Sequence, residues 1–258
     1  MTVGIRDSTV MLRPACEADA QAIYDIKKEA FGVTYLPFTI YRSPKAIAHL
    51  RQSIAYQDGS YIVAECGGDL TGYASISYSE CQPILTYIAV SSAARGGGVG
   101  IRLLEATESA LYQRGFTSLS LDVFESNARA VQWYTRSGYS NTSQRSLYRI
   151  ALTGPMDVHC LLPSRRSLWE QALAAEAQYG FSKVTERIAA GEITLGLIGG
   201  VAGKLLDYEG LGLEEAIEAV LRMLNGSRSE LIVVSREPLT SVYRALSHEL
   251  SLRMVKSL

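Results

Sequence analysis

Cysteine and histidine are both scarce in this 258-residue chain. The four cysteines, Cys16, Cys66, Cys81 and Cys160, form no CxxC pair, and His49, His159 and His248 are scattered. No metal-ligand spacing and no disulfide framework arise, so no metal is expected and a reduced, cytoplasmic setting suits the chain. No histidine neighbours Cys66 or Cys81, so nothing supports a cysteine nucleophile, and both are read as packing residues. Charge of one sign is lacking as well. A net charge of −1 gives no basic excess to draw the molecule to nucleic acid or to an anionic membrane. Long apolar runs are missing: Ile193 to Gly203 is interrupted by Gly196, Gly199 and Gly200 and is too short to span a bilayer as a helix. The opening MTVGIRDSTV has no apolar signal core. Two phosphate-binding patterns are absent too, since no Lys-Ser/Thr pair follows a glycine loop and GxGxxG spacing is not met.

What the sequence does have is the stretch from Ile84 to Gly100, ILTYIAVSSAARGGGVG. Ile84, Leu85, Tyr87, Ile88 and Val90 suit a strand buried on both faces. Val99, Leu103, Ala106 and Ala110 recur at helical spacing up to Gly115, a C-terminal cap. A strand therefore feeds a helix through a glycine-rich loop. The first N–H groups of a helix lack intrahelical partners and sit at its positive end, so an anion fits there. Gly96, Gly97 and Gly98 have no side chains to hold a phosphate away, and Arg95 adds a pairing charge. A plain strand-to-helix turn is the other reading of the same glycines.

The spacing of arginine, two residues, glycine, one residue, glycine, with IAV before it and LDVFESNARAVQWYTRSGY after it, resembles the GNAT superfamily of acetyl-CoA-dependent N-acetyltransferases. The resemblance covers roughly residues 9 to 153. It implies the family's α/β fold, a mixed sheet with helices on both faces. It also implies that Arg95, Gly96, Gly97, Gly98, Val99 and Gly100 hold the pyrophosphate of coenzyme A, and that the main chain of Ile88, Ala89 and Val90 pairs with the pantetheine arm. No metal enters, and the partner is an amine acceptor. Paired domains are frequent in the family, so a homodimer is among the expectations.

The remaining elements fall in order. Val10 to Pro14 reads as a strand, CEADAQAIYDIKKEAF as a helix, and Ser43-Pro44 as the start of a second helix. Tyr35, Phe38 and Tyr41 lie between them, where they either touch substrate or pack the helices together. YIVAE and LTGYASISY form a hairpin about CGGD, SLSLDV is a strand, Ser126 or Asn127 caps a helix that Gly138 closes, and SQRSLYRIAL ends the domain as a strand.

Acetyl transfer to an amine requires a neutral nucleophile, stabilisation of a tetrahedral oxyanion and a proton for the departing thiolate. Asn127, Ala130, Val131 and Tyr134 stand at i, i+3, i+4 and i+7 and share a helix face. In the family such an asparagine bonds to the coenzyme arm and such a tyrosine is the general acid. A tyrosine that only covers the core is the plainer reading. Asp122 matches the place of a glutamate assigned as base in ribosomal-protein-alanine acetyltransferases. It is one methylene shorter, and an ordinary strand carboxylate is the alternative.

From Pro163 the pattern changes. RRSLWEQALAAEAQYGF and KVTERIAAGE read as helices and ITLGLIGGVAGKLL as apolar strand or turn. A glycine loop YEGLG, the helix LEEAIEAVLRMLNG, the strand ELIVV, the helix PLTSVYRALSHEL and the strand SLRMVKSL follow. This order suggests a partial, degenerate second copy in residues 156–258, after an acetyltransferase domain in 1–155, with Gly154 to Ser164 as the boundary. An unrelated appendage is the alternative. In the copy's register Arg95 becomes Asp207, Asn127 becomes Pro238 and Tyr134 becomes Ala245, each without the chemistry, so the second copy extends the sheet or shapes the acceptor groove. The function expected is transfer of acetyl from acetyl-CoA to a peptide or small-molecule amine. The alternative is a non-catalytic acyl-CoA sensor or scaffold.

Overall fold

The computed structural model describes residues 10–56, 60–79, 82–152, 163–224, 228–236, 238–239 and 245–258. Cys81, His159, Cys160 and most of the expected boundary segment lie outside them. Strand β1 (Met11–Pro14) leads into α1 (Ala20–Tyr35), which bends at Gly32 with φ of 52°, and then into α2 (Ala46–Tyr56). β2 (Tyr61–Cys66) and β3 (Asp69–Ser79) form a hairpin on Gly67 and Gly68, both at positive φ as a two-residue turn demands. β4 (Gln82–Val90), α3 (Val99–Gln113), β5 (Ser118–Phe124), α4 (Ala128–Arg136) and β6 (Ser140–Ala151) complete the first half.

The second half runs α5 (Pro163–Tyr179), β7 (Phe181–Ile188), β8 (Gly191–Ile198), β9 (Ala202–Glu209), α6 (Leu213–Leu224), β10 (Glu230–Ser235) and β11 (Ala245–Ser257). One expected helix, and the end of another, are strands. KVTERI is β7 because burial alternates along it, with Val184 and Glu186 inward and Lys183, Thr185 and Arg187 outward. Glu186 escaped notice because its carboxylate is buried as the acceptor of Trp169 Nε1–H at 2.5 Å. Ala245 to Leu250, read as the end of a helix, belong to β11, where cross-strand pairing with β6 outweighs local propensity.

All described strands form one mixed sheet in the order β1-β2-β3-β4-β5-β11-β6-β10-β9-β8-β7. Within it, β7-β8-β9-α6-β10 repeats the order β2-β3-β4-α3-β5, including the parallel pairing of β9 with β10 and of β4 with β5. The closing strands are exchanged: β11 pairs with β5 along Ser118 to Phe124, and β6 pairs with β10 along Glu230 to Ser235. The halves are thereby sewn into each other.

Apolar cores lie on both faces of the first half, one under Leu103, Leu104 and Leu111 of α3 and one under Ile23 and Leu50 of α1 and α2. A third lies under Ile217 and Val220 of α6. A small cluster of Phe38, Leu147, Ile198, Ala202 and Ile232 closes the seam. Beside the seam, Glu230 of β10 accepts from Arg42 Nη1 at 2.8 Å and from Arg149 Nη2 at 2.7 Å. Lys27 of α1 is fully buried, with Nζ 3.6 Å from the Tyr41 ring centroid and 3.8 Å from that of Tyr87, and without a hydrogen-bond partner among the described residues.

Two predictions follow from these buried charges. Burial pushes the Glu230 carboxyl up, but Arg149 and Arg42 pull it down further and leave it below its ordinary 4.5. Its stabilisation is therefore complete above that value and is lost as the pH falls through the lower folded value. Glu230→Ala should destabilise the protein by about 2 kcal/mol in denaturant titration at pH 7, because it strands two guanidiniums. For Lys27, burial lowers the ammonium well below 10.5, so the unfolded chain binds the extra proton and stability rises with pH up to that value. The aromatic rings offset only part of the desolvation. Lys27→Met should raise the neutral-pH stability by about 1 kcal/mol or more and flatten that rise.

Candidate active site

The site begins where the sheet comes apart. β4 pairs with β5 only through Ile84 with Ser120 and Leu85 with Leu121. The register of β4 against β3 shifts between Leu85 and Tyr87, leaving Thr86 as a bulge residue. A bulge bends its strand, and from Thr86 to Val90 the β4 backbone has no strand partner among the described residues on its β5 side. On its far edge β5 is held by β11. The two strands diverge, and a cavity of about 560 Å³ occupies the gap and extends beyond it.

Several expected residues meet there. Ile88 and Ala89 of β4, Asp122 of β5, and Asn127 and Tyr134 of α4 all line the cavity. Asn127 caps α4, its side-chain oxygen accepting from Ala130 N–H at 3.2 Å, which fixes the start of the helix that carries Tyr134. Tyr134 is buried, packed on Trp133 and Tyr139, and burial pushes its phenol well above the usual value. Asp122 is tied in a bidentate pair, with Arg253 Nε at 2.5 Å and Nη2 at 2.8 Å. Of the three aromatics, Tyr35 and Phe38 line the cavity and stack or tilt against Phe124, whereas Tyr41 packs around Lys27 in the core.

Val90, Arg95, Gly96, Gly97, Gly98, Val99 and Gly100 are not part of the cavity lining; Val90 ends β4, and the others form the loop and helix start beyond it. Gly98 is the N-cap of α3 at φ of 78°, and no side chain caps the helix. A Cβ at Gly96 or Gly98 would meet nothing within 4 Å, so the approach to the amides is open. Arg95 Nε donates to the Val90 carbonyl at 3.1 Å, and its Nη2 lies 3.7 Å from Glu29. The corresponding junction in the second half differs. Only Gly210 to Gly212 separate β9 from α6, and Gly212 N–H donates to Glu215 Oε2 at 3.0 Å, so the chain's own carboxylate occupies that helix start. Asp207, expected at the head of that loop, lies in β9 opposite Thr194.

Sequence reasoning missed Arg145 and Leu147 of β6, Lys204 of β9 and Ser251 of β11, all in the lining. The alternation Arg145, Leu147, Arg149 was visible as two cations on one strand face, but which cavity that face meets depends on the exchanged strands. Among the described residues no group of three or more His, Cys, Asp or Glu is placed to hold a metal, and no helix is long and apolar enough to cross a membrane.

Residues 20–139 match the acetyltransferase (GNAT) family. The chain is 34% identical over 83 residues to streptothricin acetyltransferase from Streptomyces lavendulae, a stretch that is 31% of this chain and 44% of that relative. Among solved structures, a GCN5-related N-acetyltransferase from Sphaerobacter thermophilus aligns with a TM-score of 0.63 at 15% identity, over 96% of this chain and 95% of that one. Another, from Kribbella flavida, aligns with a TM-score of 0.55 at 13% identity, over 96% and 71%. These two show a shared fold that spans both halves of the chain.

Proposed function

We propose that the chain, whose residues 20–139 match the acetyltransferase (GNAT) family, is an N-acetyltransferase moving an acetyl group from acetyl-CoA to a primary amine. The observation that supports this most is the opening between β4 and β5, which gathers Tyr134, Asn127 and unpaired β4 backbone around one cavity. The residues present fit acetyl-CoA. The uncapped start of α3, with Arg95, Gly96, Gly97, Gly98, Val99 and Gly100, suits a pyrophosphate. The backbone of Ile88, Ala89 and Val90, left without a strand, and the side-chain amide of Asn127 suit an extended polar arm.

When bound, acetyl-CoA supplies an acyl group activated as a thioester, and its thiol leaves with a proton that the protein must provide. Tyr134 holds such a proton at Oη on the cavity wall, and burial keeps it in place through the neutral and mildly alkaline range. Unpaired N–H groups of β4 are donors for the negative charge that develops on the acyl oxygen. Asp122, fixed by Arg253, takes the ammonium proton of the acceptor in this reading. Peptide amines and small-molecule amines are both candidates, and the likeness to streptothricin acetyltransferase puts antibiotic amines among those to test. A binding module without turnover is the second reading, favoured by one observation: both oxygens of Asp122 are engaged by Arg253.

Thiol release from acetyl-CoA over a panel of peptides, amino acids, polyamines and aminoglycosides decides between them, since tight binding without release on any acceptor leaves only the module. Arg95→Glu should weaken acetyl-CoA binding by at least about ten-fold in calorimetry; an unchanged affinity removes the phosphate role. Tyr134→Phe should lower kcat about 100-fold with little change in coenzyme affinity, and the wild-type rate should show no alkaline decline below about pH 10 from this group.

A further inference from the structure

The cavity reaches past the catalytic side chains into territory built by the exchanged strands. Register places Phe124 of β5, Ser251 of β11 and Arg145 of β6 abreast, and Asp122, Arg253 and Ser143 abreast two residues along. Side chains two apart on a strand share a face, so Asp122, Phe124 and Arg145 look onto the same side of the sheet.

The carboxylates around this side are engaged elsewhere. Asp122 is held by Arg253, Glu230 by Arg42 and Arg149, and Glu249 accepts from Ser126 Oγ at 2.6 Å. Arg145 and Arg149 stand four apart on one face of β6. Arg149 has its carboxylate, whereas Arg145 lines the cavity with Nε buried and without a partner among the described residues. A guanidinium stays charged, and a buried donor left unpaired is costly. Lys204 of β9 brings a second cation to the same lining, where desolvation disfavours its charge and the Asp122 carboxylate only partly restores it. The surrounding wall is apolar, with Phe124, Leu147, Leu206 and Val234.

A cavity that sets these apolar side chains beside a half-buried guanidinium, whose buried Nε has no partner among the described residues, is shaped for an anion attached to a hydrophobic body. We propose that the acceptor amine carries a carboxylate, bound by Arg145 with help from Lys204, so that the substrate class is hydrophobic amino acids or closely similar carboxylated amines. This rests on the acetyltransferase reading for the word acceptor, but the anion site itself does not. The second half of the chain then has a definite task, to contribute Lys204 and the strand pairing that holds Arg145 in the cavity.

The test is calorimetric titration of the full chain, saturated with coenzyme A, using phenylalanine against phenylalaninamide and leucine against leucinamide. Each pair differs only in carboxylate versus amide. The acids should bind at least about ten-fold tighter than the amides. Arg145→Met should abolish the difference while leaving coenzyme A affinity unchanged and the thermal midpoint equal or higher, since an unpaired buried donor is removed. Lys204→Met should reduce the difference by a smaller factor. Equal binding of acid and amide, no binding of either, or a preference that survives Arg145→Met overturns the proposal. So does a midpoint lowered by several degrees in Arg145→Met, which would mark the guanidinium as structural. Thiol release with the same amino acids reads the transfer premise separately: acid-selective binding without release sinks the transfer reading and leaves the anion site standing.

Discussion

Everything in this molecule turns on a place where two neighbouring parallel strands stop hydrogen-bonding. Buried backbone groups are nearly always paired, and a sheet that opens must satisfy its N–H and C=O groups in another way. β4 and β5 share two residue pairs and then part at Thr86, whose extra residue in the register against β3 turns β4 aside. β5 cannot follow, because β11 grips its whole length on the other edge. The wedge is held open by what flanks it, and the exposed backbone is available to an extended ligand.

The grip on β5 comes from the last strand of the chain, and this ties the C-terminal half to the site more closely than a simple appended domain would. Exchange of β6 and β11 makes each half depend on the other for its closing strand. The second half repeats the strand-helix order of the first but has a shorter junction, with three residues between β9 and α6 and Glu215 turned back onto Gly212 N–H. A carboxylate at a helix start satisfies the same orphan donors that a phosphate would. One junction is thus left open and the other closed, from a common architecture.

Legibility in the sequence follows the range of the interactions. The β4–loop–α3 junction, the Gly67-Gly68 hairpin and the Asn127–Tyr134 helix face were readable because each is specified within about fifteen residues by spacing, turn chemistry or a cap. KVTERI was misread because Val184 and Ile188 stand at helical spacing while the buried polar residue, Glu186, is explained only by Trp169 on another element. Ala245 to Leu250 were misread because their partner lies on β6, about a hundred residues earlier. The Thr86 bulge left only a polar residue in an apolar run as its trace. Arg145 and Lys204 were invisible as a pair for the same reason as the exchange: nothing local says that strands from the two halves border one cavity.

This division of range also separates the two tasks of the site. The groups that suit the coenzyme, from Ile88 to Gly100 and at Asn127 and Tyr134, come from one contiguous half and are fixed by local geometry. The groups on the far wall, Arg145, Lys204, Val234 and Ser251, come from strands whose neighbours are set by the exchange. Substitutions on that wall can change charge and size without touching the glycine loop or the cap of α4, because among the described residues no shared hydrogen bond links them. Sites without shared partners vary nearly independently. On the proposed reading, a chain built this way can hold its coenzyme geometry constant while the identity of the amine drifts, and the price of that freedom is that neither half can close its own sheet alone.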